Sequence, residues 1–282
     1  MTVVFACIAP HGGELIPTLA RPGEKGFFET RKAMRTLAQT IARHKPDTIV
    51  IATPHNLRLY RHIAVVLAEN STGSLQSSSS RKVTLKAKCN VKLARAILSE
   101  AVDERLPVVG ANYGTFEGPS SDIAMDWGTL VPLWFSFHEK RVKAQIVIVA
   151  PSREIPIRQN VRFGKVVARI LERKASGKTV FIASADQAHA HSRSGPYGFS
   201  PAASKFDRVV TAAVEAGNLA SMTRLDPQFV EQAKPDSVWQ IAILSGLLSQ
   251  VKMKARLLSY EMPSYFGMLC ASFERIRSTP HS

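Results

Sequence analysis

The sequence predicts an α/β fold, a single-domain three-layer αβα sandwich with a mixed, largely parallel central sheet. Three observations carry the prediction. Short apolar, β-rich runs at 3–9, 48–53, 145–150 and 178–183 read as buried strands. Amphipathic stretches separate them, as helices covering a sheet do. The 282 residues, 45% of them hydrophobic, suffice for one large core, so residues 1–282 read as one domain.

The elements follow in order. After the first strand, residues 23–44 carry Phe27, Met34, Leu37 and Ile41 at helical spacing, with the helix beginning near Glu29. Strands follow at 48–53 and 62–68, and 83–87 is expected to pair with the latter. Residues 91–102 are helical by the spacing of Leu93, Ile97 and Val102, and 106–109 form a short strand. A polar loop at 110–122, rich in Gly, Ser and Pro, is long enough to suggest a function. A helix begins at 126–133, and another covers 156–174 with Val161, Val166, Val167, Ile170 and Leu171 inward. Helices at 201–216 and 237–250 precede a closing antiparallel pair, 255–260 and 265–273. Such an edge on a parallel centre makes the sheet mixed.

Composition narrows the function. No run approaches ~18 uninterrupted apolar residues, and the N-terminal run, stopped by Pro10, lacks the marks of a signal peptide. A cytoplasmic protein without membrane attachment is expected. The three cysteines, Cys7, Cys89 and Cys270, are an odd number without Cys-x-x-Cys spacing, which argues against disulfides and cysteine-held zinc. The net charge of +15 would attract polyanions. The basic residues are nevertheless dispersed, and the densest group, Arg81, Lys82, Lys86 and Lys88, reads as a solvated face, so no specific nucleic-acid partner is expected.

Two apolar runs end alike, in Pro10-His11 and Pro54-His55. A residue just past a buried strand sits at the carboxyl edge, where open α/β sheets bind ligands, and two such imidazoles can share a metal. A third run leads into Ser184-Ala185-Asp186-Gln187-Ala188-His189-Ala190-His191, and Tyr260-Glu261 supplies a carboxylate. Two imidazoles and one carboxylate on divalent iron leave three positions open, enough for both oxygens of a catecholate and for dioxygen. A base must then take a phenolic proton, and His189 fits that role. The same residue types bind zinc, so a metal-dependent hydrolase is an alternative. There is no G-x-G-x-x-G, P-loop or G-x-S-x-G sequence.

In order along the chain, Ala9-Pro10-His11-Gly12-Gly13, Thr53-Pro54-His55, Asp126-Trp127-Gly128-Thr129-Leu130-Val131-Pro132-Leu133, Ser184-Ala185-Asp186-Gln187-Ala188-His189 and Tyr260-Glu261 resemble the catalytic subunits of class III extradiol ring-cleavage dioxygenases, the protocatechuate 4,5-dioxygenase β-subunit group. The resemblance implies a non-haem Fe(II) enzyme that opens a catechol-like or 2-aminophenol-like ring with O2. His11, His55 and Glu261 would be the ligands and His189 the acid/base. A small aromatic substrate and a homo-oligomeric assembly are implied with it. The Memo-like proteins, a related branch with a cysteine at the place of Glu261, offer a metal-binding or redox-regulatory alternative without ring cleavage.

One departure stands out. Many relatives have Asp-His-Gly-Thr where this chain has Asp126-Trp127-Gly128-Thr129. Trp127 reads either as a pocket wall that reshapes specificity or lowers activity, or as a core aromatic. Asp126, His191 and Glu14 are further candidates for the pocket.

Overall fold

The computed structural model describes residues 2–20, 26–78, 80–173 and 177–276. Residues 23–25 and 174, which the sequence reading assigns to helices, lie outside that range.

The elements are β1 (Thr2–Ala9), α1 (Phe28–His44), β2 (Thr48–Ala52), β3 (Ile63–Val66), β4 (Asn70–Gln76), β5 (Lys82–Lys88), α2 (Val91–Asp103), β6 (Val108–Ala111), β7 (Asp122–Ala124), α3 (Trp127–Trp134), β8 (Gln145–Ala150), α4 (Ile157–Arg173), β9 (Lys178–Ser184), α5 (Pro201–Glu215), α6 (Pro227–Ala233), α7 (Val238–Leu248), β10 (Met253–Glu261) and β11 (Met268–Arg275). Eight strands form the main sheet in the order β10-β11-β1-β9-β2-β8-β3-β6. The central four, β1, β9, β2 and β8, are parallel, while β10 and β11 close one edge antiparallel, as the sequence predicts. On the other side β3 runs against β8 and parallel to β6.

Alternate residues of each central strand enter opposite cores, because side chains along a strand point to opposite faces. Val50, Ala52, Phe181 and Ala183 pack with residues of α2, α4, α5 and α7. Ile49, Ile51, Val180 and Ile182 pack with α1 and α3. The result is the three-layer αβα sandwich. In α2 the inward position is Ala101, and Val102, expected there by spacing, is exposed.

Helices α4 and α7 cross with their backbones in contact. A Cβ on Gly164 would stand 1.9 Å from the Ile243 carbonyl oxygen, and one on Gly246 2.0 Å from that of Val161. Only glycine admits so close an approach.

A second, three-stranded sheet corrects the expected partner of residues 83–87. Strand β5 pairs with β4, not β3, and β7 flanks β4 on its other side. The loop at 110–122 therefore returns the chain from the main sheet to this smaller one. No helix among the described residues is long and apolar enough to cross a membrane. All three cysteines are free and buried, and burial pushes the Cys89 and Cys270 thiols up to about 12.

Candidate metal centre

Neighbouring parallel strands deliver the first residues of the site. Ala9 pairs with Ser184, and Ala52 with Ala183, so β1, β2 and β9 end at one level. His11 and His55 follow within three residues of their strand ends, and the rings meet edge to face with Nε2 atoms 3.0 Å apart. Asp236, between α6 and α7, joins them: its Oδ2 lies 3.1 Å from His11 Nε2 and 3.3 Å from His55 Nε2. Asp186 Oδ2 is 3.3 Å from His11 Nε2. Its Oδ1 accepts the His11 N–H, and its own N–H donates to Asp236 Oδ1.

The ring orientation of His11 follows from its neighbours. Ser184 donates its hydroxyl to the Gly128 carbonyl at 2.5 Å, so it accepts from His11 Nδ1–H at 2.9 Å. A neutral His11 then aims an Nε2 lone pair at His55 Nε2 and two carboxylate oxygens. Two carboxylate oxygens meeting an imidazole lone pair in a buried site are stabilised by a cation, either a proton or a metal ion. With a proton there, burial opposes the charge but Asp186 and Asp236 outweigh it, and His11 is raised to about 9. Burial also works to raise Asp236, yet His11 and the hydrogen bonds from both imidazoles hold it well below the usual carboxylate range. Asp186, with less of that support, is raised by burial. Two imidazole nitrogens and one carboxylate oxygen in this arrangement fit a divalent metal ion.

His55, Asp236 and His189 line a cavity of about 520 Å³ with Trp127, Trp239, Tyr197, Arg58 and Arg153. His189 donates Nδ1–H to the Lys234 carbonyl at 3.0 Å, which leaves Nε2 with its lone pair. The ring lies 5.3 Å from that of Phe266, 12° from parallel, and burial pushes its pKa below the ordinary value. Trp127 lies on His55, centroids 4.1 Å apart, and so forms part of the cavity wall.

The remaining candidates stand elsewhere. Glu261 is not brought to the two histidines, which corrects its expected place in the ligand set. Its Oε2 accepts from Thr30 N–H at 2.7 Å and Thr30 Oγ1–H at 2.6 Å, in the first turn of α1. There a carboxylate satisfies a free N–H that Phe27, the preceding residue, has no side-chain acceptor to meet. Asp126 caps α3 and ties it to β2 by accepting from Thr129 N–H and Thr53 Oγ1–H. It lines a neighbouring cavity of about 400 Å³ that shares His55. His191 pairs with Asp207, and Glu14 lies in a 3-10 turn after β1, apart from the cavity lining.

Sequence pattern alone assigns no role to Asp236, Asp186, Ser184 or Arg153. The one signal for Asp236 is Pro235-Asp236-Ser237 ahead of a largely apolar helix, and a helix start gives that pattern too.

Comparison with known proteins agrees with this architecture. The family described as "Catalytic LigB subunit of aromatic ring-opening dioxygenase" matches residues 6–269. Protein CA_C1420 of Clostridium acetobutylicum is 31% identical over 255 residues, 90% of this chain and 54% of its own length, so the chain spans about half of that relative. A solved structure titled "Crystal structure of uncharacterized protein JW3007 from Escherichia coli K12" shares the fold at a TM-score of 0.58, with 15% identity over 95% of this chain and 99% of that one.

Proposed function

The chain belongs to the family of catalytic LigB subunits of aromatic ring-opening dioxygenases, and on that premise we propose that it holds Fe(II) through His11, His55 and Asp236 and opens a catechol-like or 2-aminophenol-like ring with O2. The observation that carries this reading is the convergence of His11 Nε2, His55 Nε2 and Asp236 Oδ2 within 3.3 Å of one another, with His55 and Asp236 on the wall of a cavity large enough for a single ring. When bound, the ion supplies Lewis acidity toward the substrate hydroxyls and a path for electrons to O2.

The chain's own residues do the rest. His189 Nε2 takes the phenolic proton, its ring held by the Lys234 carbonyl and Phe266. Trp127 fixes the His55 ring from one side. Arg153 selects the substrate: its guanidinium, half-buried, lies 4.6 Å over the Trp239 ring and feels the charges of Asp236 and Glu154 without a direct ion pair among the described residues. The other cavity cations are in direct ion pairs, Arg58 with Glu154 and Lys234 with Glu231. A planar guanidinium with free donors suits a carboxylate on the ring or its side chain, so the substrate is an anionic catechol.

The test is anaerobic loading with Fe(II), followed by oxygen-electrode and absorbance assays on catechols and 2-aminophenols with and without a carboxylate. The expected result is oxygen uptake with a yellow ring-opened product, abolished by His55→Ala and by Asp236→Ala. Arg153→Gln is expected to raise KM for the carboxylated catechol about tenfold or more and to leave that for plain catechol unchanged. Stoichiometric Fe(II) binding without oxygen uptake on any substrate would reject ring cleavage in favour of a Memo-like metal-binding role.

A further inference from the structure

Two sequence signals that the metal centre leaves unused, His191 and Tyr260, converge on a third residue. Asp207, on α5, is buried. Its Oδ2 accepts from Tyr260 O–H at 2.5 Å and from His191 Nε2–H at 2.7 Å, and its Oδ1 accepts the Ala188 N–H at 2.9 Å. A carboxylate buried this deeply is tolerated only when its lone pairs are used, and here two of the three bonds run to the segment that carries His189.

The same segment is stitched from the other side. Gln187 N–H donates to the Gly267 carbonyl and Gly267 N–H to the Ala188 carbonyl, at 2.7 and 3.0 Å. Gly267 must lack a side chain, because a Cβ there would stand 2.2 Å from Asp207 Oδ2. Its neighbour Phe266 is the ring on which His189 lies. Burial and the adjacent carboxylate raise the Tyr260 phenol, which therefore stays a donor.

We propose that Asp207, braced by Tyr260 and His191, is the positioning residue for His189: it fixes residues 188–191 so that the His189 ring keeps Nδ1–H on the Lys234 carbonyl and Nε2 toward the cavity. Asp207 touches neither His11, His55 nor Asp236 in any hydrogen bond or ion pair of the described residues. Its loss thus disturbs the base and spares the metal. The inference rests on the base role given to His189 above.

The experiment uses the full chain with Asp207→Asn and Tyr260→Phe, and three readouts. Calorimetric Zn(II) titration reports the metal site, ¹H–¹⁵N imidazole spectra of the Zn(II) form report the His189 tautomer, and Fe(II)-dependent oxygen uptake reports turnover. The expected result for Asp207→Asn is Zn(II) affinity within about twofold of the parent, a His189 signal shifted away from the single Nδ1–H tautomer, and kcat lower by about 10- to 100-fold at unchanged KM. Tyr260→Phe is expected to move the same quantities less far. Should Asp207→Asn fail to fold, Tyr260→Phe, which removes one of the three bonds, decides by the same readouts. Unchanged His189 signals overturn the proposal, as does a fall in Zn(II) affinity that parallels the fall in kcat. If the parent protein consumes no oxygen, ring opening is rejected, and the imidazole spectra alone judge the positioning role.

Discussion

The indole of Trp127 lies over the imidazole of His55, centroids 4.1 Å apart and planes 25° from parallel. Trp127 opens α3, whose start is pinned by Asp126 to Thr53 at the end of β2. One short segment thus fixes both the backbone before His55 and the face of its ring. Trp127 places an aromatic wall against a proposed ligand.

Trp127→Ala is expected to weaken Zn(II) or Fe(II) binding by about tenfold, since groups that orient a metal-bound imidazole have effects of that order. Calorimetric titration of parent and variant checks it. An unchanged affinity would mean that the indole is only a cavity wall.

Asp236 and Glu261 separate cleanly by substitution. Asp236→Asn is expected to abolish stoichiometric metal binding, because it removes the carboxylate 3.1 Å and 3.3 Å from the two imidazoles. Glu261→Gln is expected to leave metal binding intact and to cost about 1 kcal/mol of stability through the start of α1. Metal titration paired with thermal unfolding measures both. Loss of metal in the Glu261 variant would restore the sequence-based ligand set.

These two carboxylates show what the sequence made legible. Strands β1, β2 and β9 stand out as apolar runs because helices cover them on both faces, and His11, His55 and His189 follow from where those runs end. Asp236 follows no strand. It arrives on a turn between helices, 225 positions beyond His11, and local pattern cannot reveal such proximity. Strand β4, Asn-Ser-Thr-Gly-Ser-Leu-Gln, is equally hidden: all of its residues but Leu75 are polar or glycine, and pairing with β5 and β7 holds it where a single apolar side chain does not.

At the α4–α7 crossing, Gly164→Ala or Gly246→Ala inserts a methyl about 2 Å from a carbonyl oxygen. The helices must part, so each substitution is expected to cost at least about 1–3 kcal/mol. Denaturant unfolding checks this, and a variant as stable as the parent would mean the crossing relaxes freely.

Glu172 of α4 ties the chain's first and last strands together, accepting from Val3 N–H at 2.9 Å and from two Arg275 nitrogens at 2.9 and 3.0 Å. Partial burial opposes its charge, but Arg275 and the Val3 N–H outweigh that and lower its pKa from 4.5. A pKa depressed by folding contributes stability that is present above the unfolded value and lost as pH falls through the folded one. Glu172→Gln is therefore expected to cost about 1 kcal/mol near neutral pH, with the difference closing as the solution is acidified below 4.5. Denaturant midpoints over that range test it, and a constant difference would rule it out.

The centre draws on strand ends at 11, 55 and 186 and on a helix turn at 236, so its donors meet only in the finished fold. An ion held there has no counterpart in the unfolded chain and shifts the folding equilibrium by its own binding free energy. At a free concentration 100 times its dissociation constant that linkage amounts to about 2.7 kcal/mol. Metal supply would then shift how much folded protein persists, and scarcity would lower that amount together with the occupancy of the site.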